Sequence, residues 1–398
     1  MTGAVTEPGG TETVRSRNLP SAAVAGLALM AVLASGCSDG SGTPSKERSS
    51  SAPSSKEPAP DGTASGAPAK GSVKVERTVA TGLKAPWGLA PLEGGDLLVS
   101  TRDLGRIYRI DGRSGKKTEL GTVPGVAAGG EGGLLGIAVP PDNAETVYAY
   151  LTTESDNRIV RMLYDPDKPQ GDQLGAPDTI IKGIPKGQIH NGGRIAFGPD
   201  KMLYAGTGES GEGGLSQDKK SLGGKILRMT PDGQPPGQGN PDTDSVVYSW
   251  GHRNVQGLDW DDEKRLWASE FGQNTWDELN LIRPGQNYGW PDAEGKTGGS
   301  GFVDPVEQWR TADASPSGAA VAEGSVWMAG LRGERLWRIP LKGTEPAAKP
   351  QSFLDGKYGR LRTVVSDGKD GLWLVTSETD GRGTPEKGDD RILKLKVS

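Results

Sequence analysis

The chain has 398 residues, of which 33% are hydrophobic and 6% aromatic, with two histidines and a formal charge of -5. That balance excludes an electrostatic footprint for DNA or RNA, and no dense Lys/Arg run occurs beyond the N-terminal region, so no nucleic-acid partner is expected. The 62 glycines imply a fold dense in tight turns, and the single cysteine leaves no intramolecular disulfide to hold it.

Arg15 and Arg17 precede an apolar run from Ala22 to Leu33, and Ala34-Ser35-Gly36-Cys37 follows. A charged, an apolar and a small-residue segment in that order form a secretory signal too short to span a membrane stably. Its end at Cys37 resembles a bacterial lipobox, in which the thiol is lipidated and becomes the new N-terminus. The leucine lies four residues before the cysteine, and ordinary secretion with Cys37 incidental is the alternative. Residues 1–37 are therefore expected to be a lipoprotein signal that leaves the mature chain outside the cytoplasm, anchored to the bacterial cell membrane by lipid alone. Residues 38–72 are Ser, Gly, Pro, Lys and Ala with almost nothing to bury, which predicts a disordered tether.

Beyond Val73 a basic-apolar strand recurs: Arg106–Ile110, Arg158–Met162, Lys225–Met229, Glu278–Ile282, Arg335–Ile339 and Arg391–Leu395. Each follows an apolar strand: Asp96–Val99, Thr146–Ala149, Met202–Ala205, Arg265–Ala268, Ser325–Met328 and Gly371–Leu374. Period-two alternation, Gly/Asp turns and the lack of an amphipathic helix of normal length predict an all-β fold over residues 73–398. Its form is a six-bladed β-propeller of four-stranded antiparallel blades. Val73–Val79 is the natural partner of the last blade, closing the ring without free edges. An α/β fold would need crossover helices that are not there, and a two-sheet sandwich is the remaining alternative.

His190 lies in Gln188–Asp200, on a loop directly before the short strand Ile195–Phe197, where a rigid scaffold can present it. For an isolated histidine a packing or turn-capping role is the simpler reading, and the other loops decide against it. Gly206-Thr-Gly-Glu-Ser-Gly211 matches a dinucleotide fingerprint, but no helix follows to hold a pyrophosphate. Polar loops recur in successive blades: Gly130–Gly136 with Glu131, Trp250–Gly257 with Arg253 and Asn254, Gly272–Glu278, Asn287–Pro291, Gly330–Arg332 and Arg360–Arg362. Loops at one end of a propeller converge on its axis, and several arginines there would repel one another unless an anion occupied the centre.

The order G-E-G-G-L-L-G, His190 before Arg194, G-H-R-N-V-Q-G-L, S-E-F-G-Q-N-T-W-D-E-L-N-L-I, N-Y-G-W-P and R-L-R resembles the soluble glucose/sorbosone dehydrogenases. Those are pyrroloquinoline-quinone-dependent aldose dehydrogenases built on a six-bladed propeller. The resemblance implies that His190 is the general base that removes the proton of the sugar C1 hydroxyl while hydride goes to the quinone. It implies that Arg253 steadies the developing oxyanion. It gives cofactor contacts to Asn254, Arg332, Arg360 and Arg362, with Glu131 beside them. The carbonyls of Gly272 and Gln273 fall on ligands of a calcium that polarises the quinone, and Asp277, Glu278 and Tyr288 on a second, structural calcium. His252 is expected to be architectural. An aldose and an external electron acceptor are the implied partners.

Glu131 stands where the family commonly has glutamine, Arg332 where it has lysine, Gln273 where it has proline, and Ile189 replaces a polar sugar-binding residue. The resemblance therefore does not extend to glucose as the substrate. Two other classes compete with it: a non-catalytic, calcium-stabilised propeller that binds glycans or another ligand at the cell surface, and a lactonase-type hydrolase. The first has no use for a histidine-arginine pair at the axis. The second needs several carboxylates around one axial metal, whereas the conspicuous acids here share one loop.

Overall fold

A computed structural model describes residues 66–299 and 301–398, so Cys37 and the signal lie outside the described residues. Six antiparallel sheets follow one another along the chain. The innermost strands are Pro86–Pro91, Leu134–Ala138, Ile195–Phe197, Val255–Trp260, Pro316–Ala322 and Leu361–Ser366. The recurring strand pairs of the sequence become the second and third strands of every blade, for example Leu97–Thr101 with Arg106–Ile110 and Gly371–Thr376 with Ile392–Val397.

Position in the blade explains composition. Second strands lie between neighbouring sheets and are buried along their whole length, as in Leu97–Thr101, Leu266–Glu270 and Ser325–Gly330. They therefore take apolar residues on both faces, including Trp267 and Trp327, which are wholly buried. Removing either indole from water contributes roughly 2–3 kcal/mol. Third strands are less evenly enclosed: Arg106–Ile110 buries Ile107 and Ile110 and leaves Arg106, Tyr108 and Arg109 half-buried.

Val73–Ala80 forms the outer strand of the last blade, with Val73 opposite Val397 and Thr78 opposite Leu393. The expected tether does not run free as far as residue 72. Pro68 O accepts from Arg338 Nη2 (3.0 Å), Ala67 N–H donates to Leu341 O (2.8 Å) and Gly71 N–H to Gln351 Oε1 (2.9 Å). Arg338 is fully buried under this strap, and its guanidinium needs the carbonyl the strap provides. The fifth blade also departs from four regular strands: Leu336–Lys342 pairs with two short pieces, Glu345–Pro346 and Gln351–Phe353. Pro346 and Pro350 cannot donate to a ladder and split the outer position.

Candidate active site

The loops that precede the inner strands and those that join second to third strands meet at one end of the axis. They enclose a cavity of about 300 Å³. Its walls carry Arg102, Arg253, Arg332, Arg360, Arg362 and Arg382 against only two carboxylates, Glu131 and Asp380, with His190, Asn254, Gly272 and Trp87 completing them. His190, Arg253, Asn254, Glu131, Arg332, Arg360, Arg362 and Gly272 are thus brought together as expected from residues up to 231 positions apart (362 minus 131).

His190 occupies the left-handed region with φ of 55°, a costly conformation for a side-chain-bearing residue, and three contacts hold it there. Glu131 Oε2 accepts the His190 main-chain N–H (2.9 Å), and the Ser210 N–H donates to the His190 carbonyl (3.0 Å). A Cβ on Gly208 would lie 1.9 Å from that same carbonyl oxygen, so the loop closes only around glycine. The ring Nδ1 sits 2.8 Å from Glu209 Oε1, and Glu209 is buried, with its other oxygen accepting the Gly211 N–H. Against a carboxylate acceptor Nδ1 carries the proton, which leaves the lone pair on Nε2. Glu209 belongs to the glycine-rich segment whose only sequence reading was a failed dinucleotide motif.

Arg253 is anchored through its backbone, whose N–H donates to Glu270 Oε1, while Nη1 reaches Phe271 O (3.3 Å). Its guanidinium carbon stands 5.4 Å from the Trp290 ring centroid. Burial lowers its pKa below the usual arginine value, and its Nε has no hydrogen-bond partner among the described residues. A buried donor without an acceptor at the wall of a cavity is a fit for an anionic ligand. Asn254 Oδ1 accepts the Gly192 N–H (2.9 Å) and stiffens the His190 loop.

Arg360 and Arg362 converge on Asp380 Oδ2 at 3.0 and 2.9 Å. Burial opposes ionisation of Asp380, but the Arg362 and Arg360 charges outweigh it and hold the carboxyl at about 2. Burial presses the Arg362 guanidinium down to about 10 despite Asp380. Asp380 also fixes Arg382, whose N–H donates to Oδ1 (2.9 Å) and whose guanidinium pairs with Glu131 Oε1 (2.7 Å). The extra charge of Glu131 is therefore answered by Arg382. Arg332 is exposed at the cavity wall.

The Gly272 loop wraps a carboxylate. Glu294 Oε1 accepts the N–H groups of Gln273 (2.7 Å), Asn274 (3.0 Å), Thr275 (3.0 Å) and Trp276 (3.1 Å). Burial works against ionisation of Glu294, and these donors overcome it and hold its carboxyl below the usual value. In a trans peptide the C=O opposes the following N–H, so the Gly272 and Gln273 carbonyls point away from Glu294. Among the described residues neither oxygen accepts a main-chain hydrogen bond, Gly272 lines the cavity, and carbonyls are a donor type suited to a hard cation.

The side chains of Asp277, Glu278 and Tyr288 each have hydrogen-bond partners of their own. Asp277 and Glu278 are neighbours on Trp276–Ile282 and leave opposite faces of the sheet. Asp277 accepts the N–H groups of Gly272 (2.9 Å) and Ser315 (2.6 Å), and burial raises its carboxyl to about 6. Glu278 accepts from Gly295 N–H (2.7 Å) and Asn280 Nδ2 (3.0 Å), and burial with nearby Glu270 pushes it up to about 8. The Tyr288 hydroxyl donates to Leu281 O (2.8 Å). Among the described residues no three His, Cys, Asp or Glu side chains cluster as metal donors. His252 is architectural as expected: wholly buried, it links Ser249 Oγ and Glu270 Oε2, both at 2.8 Å, and stacks on Tyr288.

Beyond the expected set, the cavity holds Arg102, Asp380, Arg382, Gln256 and Trp87. A six-bladed ring whose axis offers a carboxylate-held imidazole to a cluster of cations defines a propeller enzyme with a polyanion site. A profile of the glucose/sorbosone dehydrogenases matches residues 83–387, and the chain belongs to that family. A structure of the PQQ-bound aldose sugar dehydrogenase from Streptomyces coelicolor is 74% identical, with a TM-score of 0.82 over 83% of this chain and all of that one. Quinoprotein glucose dehydrogenase B of Acinetobacter calcoaceticus is 30% identical over 57% of this chain and 54% of that protein. Aldose sugar dehydrogenase YliI of Escherichia coli is 31% identical over 56% of this chain and 63% of that protein.

Proposed function

We propose that the chain oxidises the C1 hydroxyl of aldose sugars to lactones with pyrroloquinoline quinone as the two-electron acceptor. The observation that carries this is the His190 Nδ1 to Glu209 contact of 2.8 Å at the wall of an arginine-lined cavity. When bound, the quinone supplies the acceptor for the hydride of C1. His190 takes the hydroxyl proton at Nε2 as that hydride leaves, and Glu209 stabilises the imidazolium that results. Arg253 offers a fixed positive donor to negative charge developing on the acceptor. Arg332, Arg360 and Arg362 answer carboxylates of the cofactor, and Asn254 sits at its edge. A non-catalytic glycan-binding role gives no account of the His190 and Glu209 pair.

The carbonyls of Gly272 and Gln273 are the groups that would hold a calcium ion beside the quinone. An external electron acceptor then regenerates the cofactor. The lipobox-like end at Cys37 supports a lipid-anchored, extracytoplasmic placement, and Cys37→Ala should release the protein into the medium. Retention of the mutant at the membrane would remove the anchor from this reading.

The test of the activity is reconstitution. Purified apoprotein given the quinone and Ca²⁺ should reduce a redox dye in the presence of aldoses, whereas apoprotein that binds the quinone but reduces no dye with any aldose would defeat the assignment.

A further inference from the structure

We propose that Arg194 is a positioning residue for the anionic cofactor: a buried cation behind the arginine cluster that no carboxylate among the described residues neutralises, and that strengthens polyanion binding without touching the ligand. This rests on the reading of the axial cavity as a quinone site. Arg194 lies four residues after His190, immediately before Ile195–Phe197, and is buried. Nε donates to Gln256 O (2.7 Å) and Nη2 to Thr363 Oγ1 (3.0 Å), both neutral groups, which tie the third blade to the fourth and the sixth.

Two cations stand against the Trp87 ring. Its ring centroid is 4.4 Å from the Arg194 guanidinium carbon and 5.8 Å from that of Arg362. Trp87 and Arg362 line the axial cavity, while Arg194 lines a second one of about 260 Å³, walled by the inner strands of all six blades. The acid of that second cavity, Asp259, gives its oxygens to the N–H groups of Trp260 (2.9 Å) and Val321 (2.7 Å), and burial pushes its carboxyl up to about 6, as expected of an acid with no cation against it. Asp380, the carboxylate beside Arg362, is already shared with Arg360.

Two guanidiniums against one indole gain cation–π energy, but that gain is small beside the desolvation of a buried, uncompensated charge. Burial, and after it the neighbouring Arg362, press the Arg194 guanidinium down to about 9, so it remains charged at neutral pH. An anion entering the axial cavity, which Trp87 and Arg362 line, supplies the missing counter-charge. In a dry interior such an interaction reaches beyond contact distance.

Two variants separate charge from hydrogen bonding. Arg194→Gln keeps donors for Gln256 and Thr363 without the charge, and Arg194→Lys keeps the charge. Apoprotein is titrated with the quinone and, separately, with citrate as a plain tricarboxylate, following tryptophan fluorescence, with thermal midpoints measured alongside. The Gln variant should bind both about tenfold more weakly with its apo midpoint unchanged or raised, and the Lys variant should stay within about threefold of the parent. Parental affinity in the Gln variant, or equal weakening in both, overturns the inference. If the Gln chain fails to fold, the Lys variant decides: its affinity should fall more steeply than the parent's as pH rises through the titration of the buried ammonium, and parallel slopes refute the charge argument. A parent that binds citrate with this charge dependence but no quinone sinks the cofactor reading and upholds Arg194. A parent that binds neither sinks both.

Discussion

Glu209→Gln is the substitution whose outcome the geometry determines most fully. Both oxygens of Glu209 are engaged, one with His190 Nδ1 and the other with the Gly211 N–H. In glutamine only the carbonyl oxygen can accept from Gly211, so the amide NH₂ must face Nδ1. A donor at Nδ1 forces the imidazole proton onto Nε2, where it blocks acceptance of the substrate proton. Loss of a correctly oriented base costs typically 10²–10⁴ in turnover, or about 3–5 kcal/mol of barrier. Stability should change little, by about 1 kcal/mol, since shape and hydrogen-bond number are kept. Glu209 does not line the axial cavity, so quinone affinity should stay near the parental value. Turnover per bound quinone at saturating aldose, with a parallel quinone titration, reads both quantities. Turnover within about fivefold of the parent would refute the tautomer argument and with it the role given to His190.

Arg360→Ala removes one of the two guanidiniums on Asp380 and should weaken quinone binding by about 2 kcal/mol, roughly 30-fold, with a much smaller loss of apoprotein stability. Equal losses in affinity and stability, read by titration and melting, would mark Arg360 as structural. Chelation of Ca²⁺ from the reconstituted enzyme should abolish dye reduction, and Ca²⁺ readdition should restore it. Activity unaffected by prolonged chelation would separate the Gly272 and Gln273 carbonyls from catalysis. Asp259 provides a pH test: burial raises its carboxyl to about 6 in the fold, against 3.8 for a free aspartate. The folded state therefore holds a proton that the unfolded chain releases between those values, so this group lowers stability as pH rises from about 4 to about 6, by about 3 kcal/mol at most. Asp259→Asn should flatten that limb of the urea-midpoint curve, and an unchanged limb would assign it to other groups.

The blade repeat was legible because it is local. Strand pairs such as Leu266–Glu270 and Trp276–Ile282 sit within one stretch of sequence, and their burial dictates their composition directly. The arginines and His190 were legible through their loops. Their partners were not, because each arrives from a distance or under another pattern. Glu209 lay inside a glycine-rich motif whose chemistry belongs to a different fold. Arg102 Nη2 donates to Asp380 O, 278 residues away, a contact that only ring closure creates. Arg194 entered the sequence reading only as the end of the His190 loop, and nothing in Asn191-Gly-Gly-Arg194 announces that its charge is turned inward.

Ser72 and Ser398 exchange two main-chain hydrogen bonds, at 3.1 and 3.2 Å, beside the strand pair that closes the ring. A peptide link from Ser398 to the start of the strap at Ala67 would add a covalent latch to the hydrogen-bonded one and keep the Pro68 carbonyl for Arg338. New termini could then be opened at an exposed turn far from the axis, such as Lys168–Gly171. Such a circular permutant would keep the arginine cluster and His190 in place, while freeing the choice of which edge of the ring is fixed to an electrode and which faces the sugar solution.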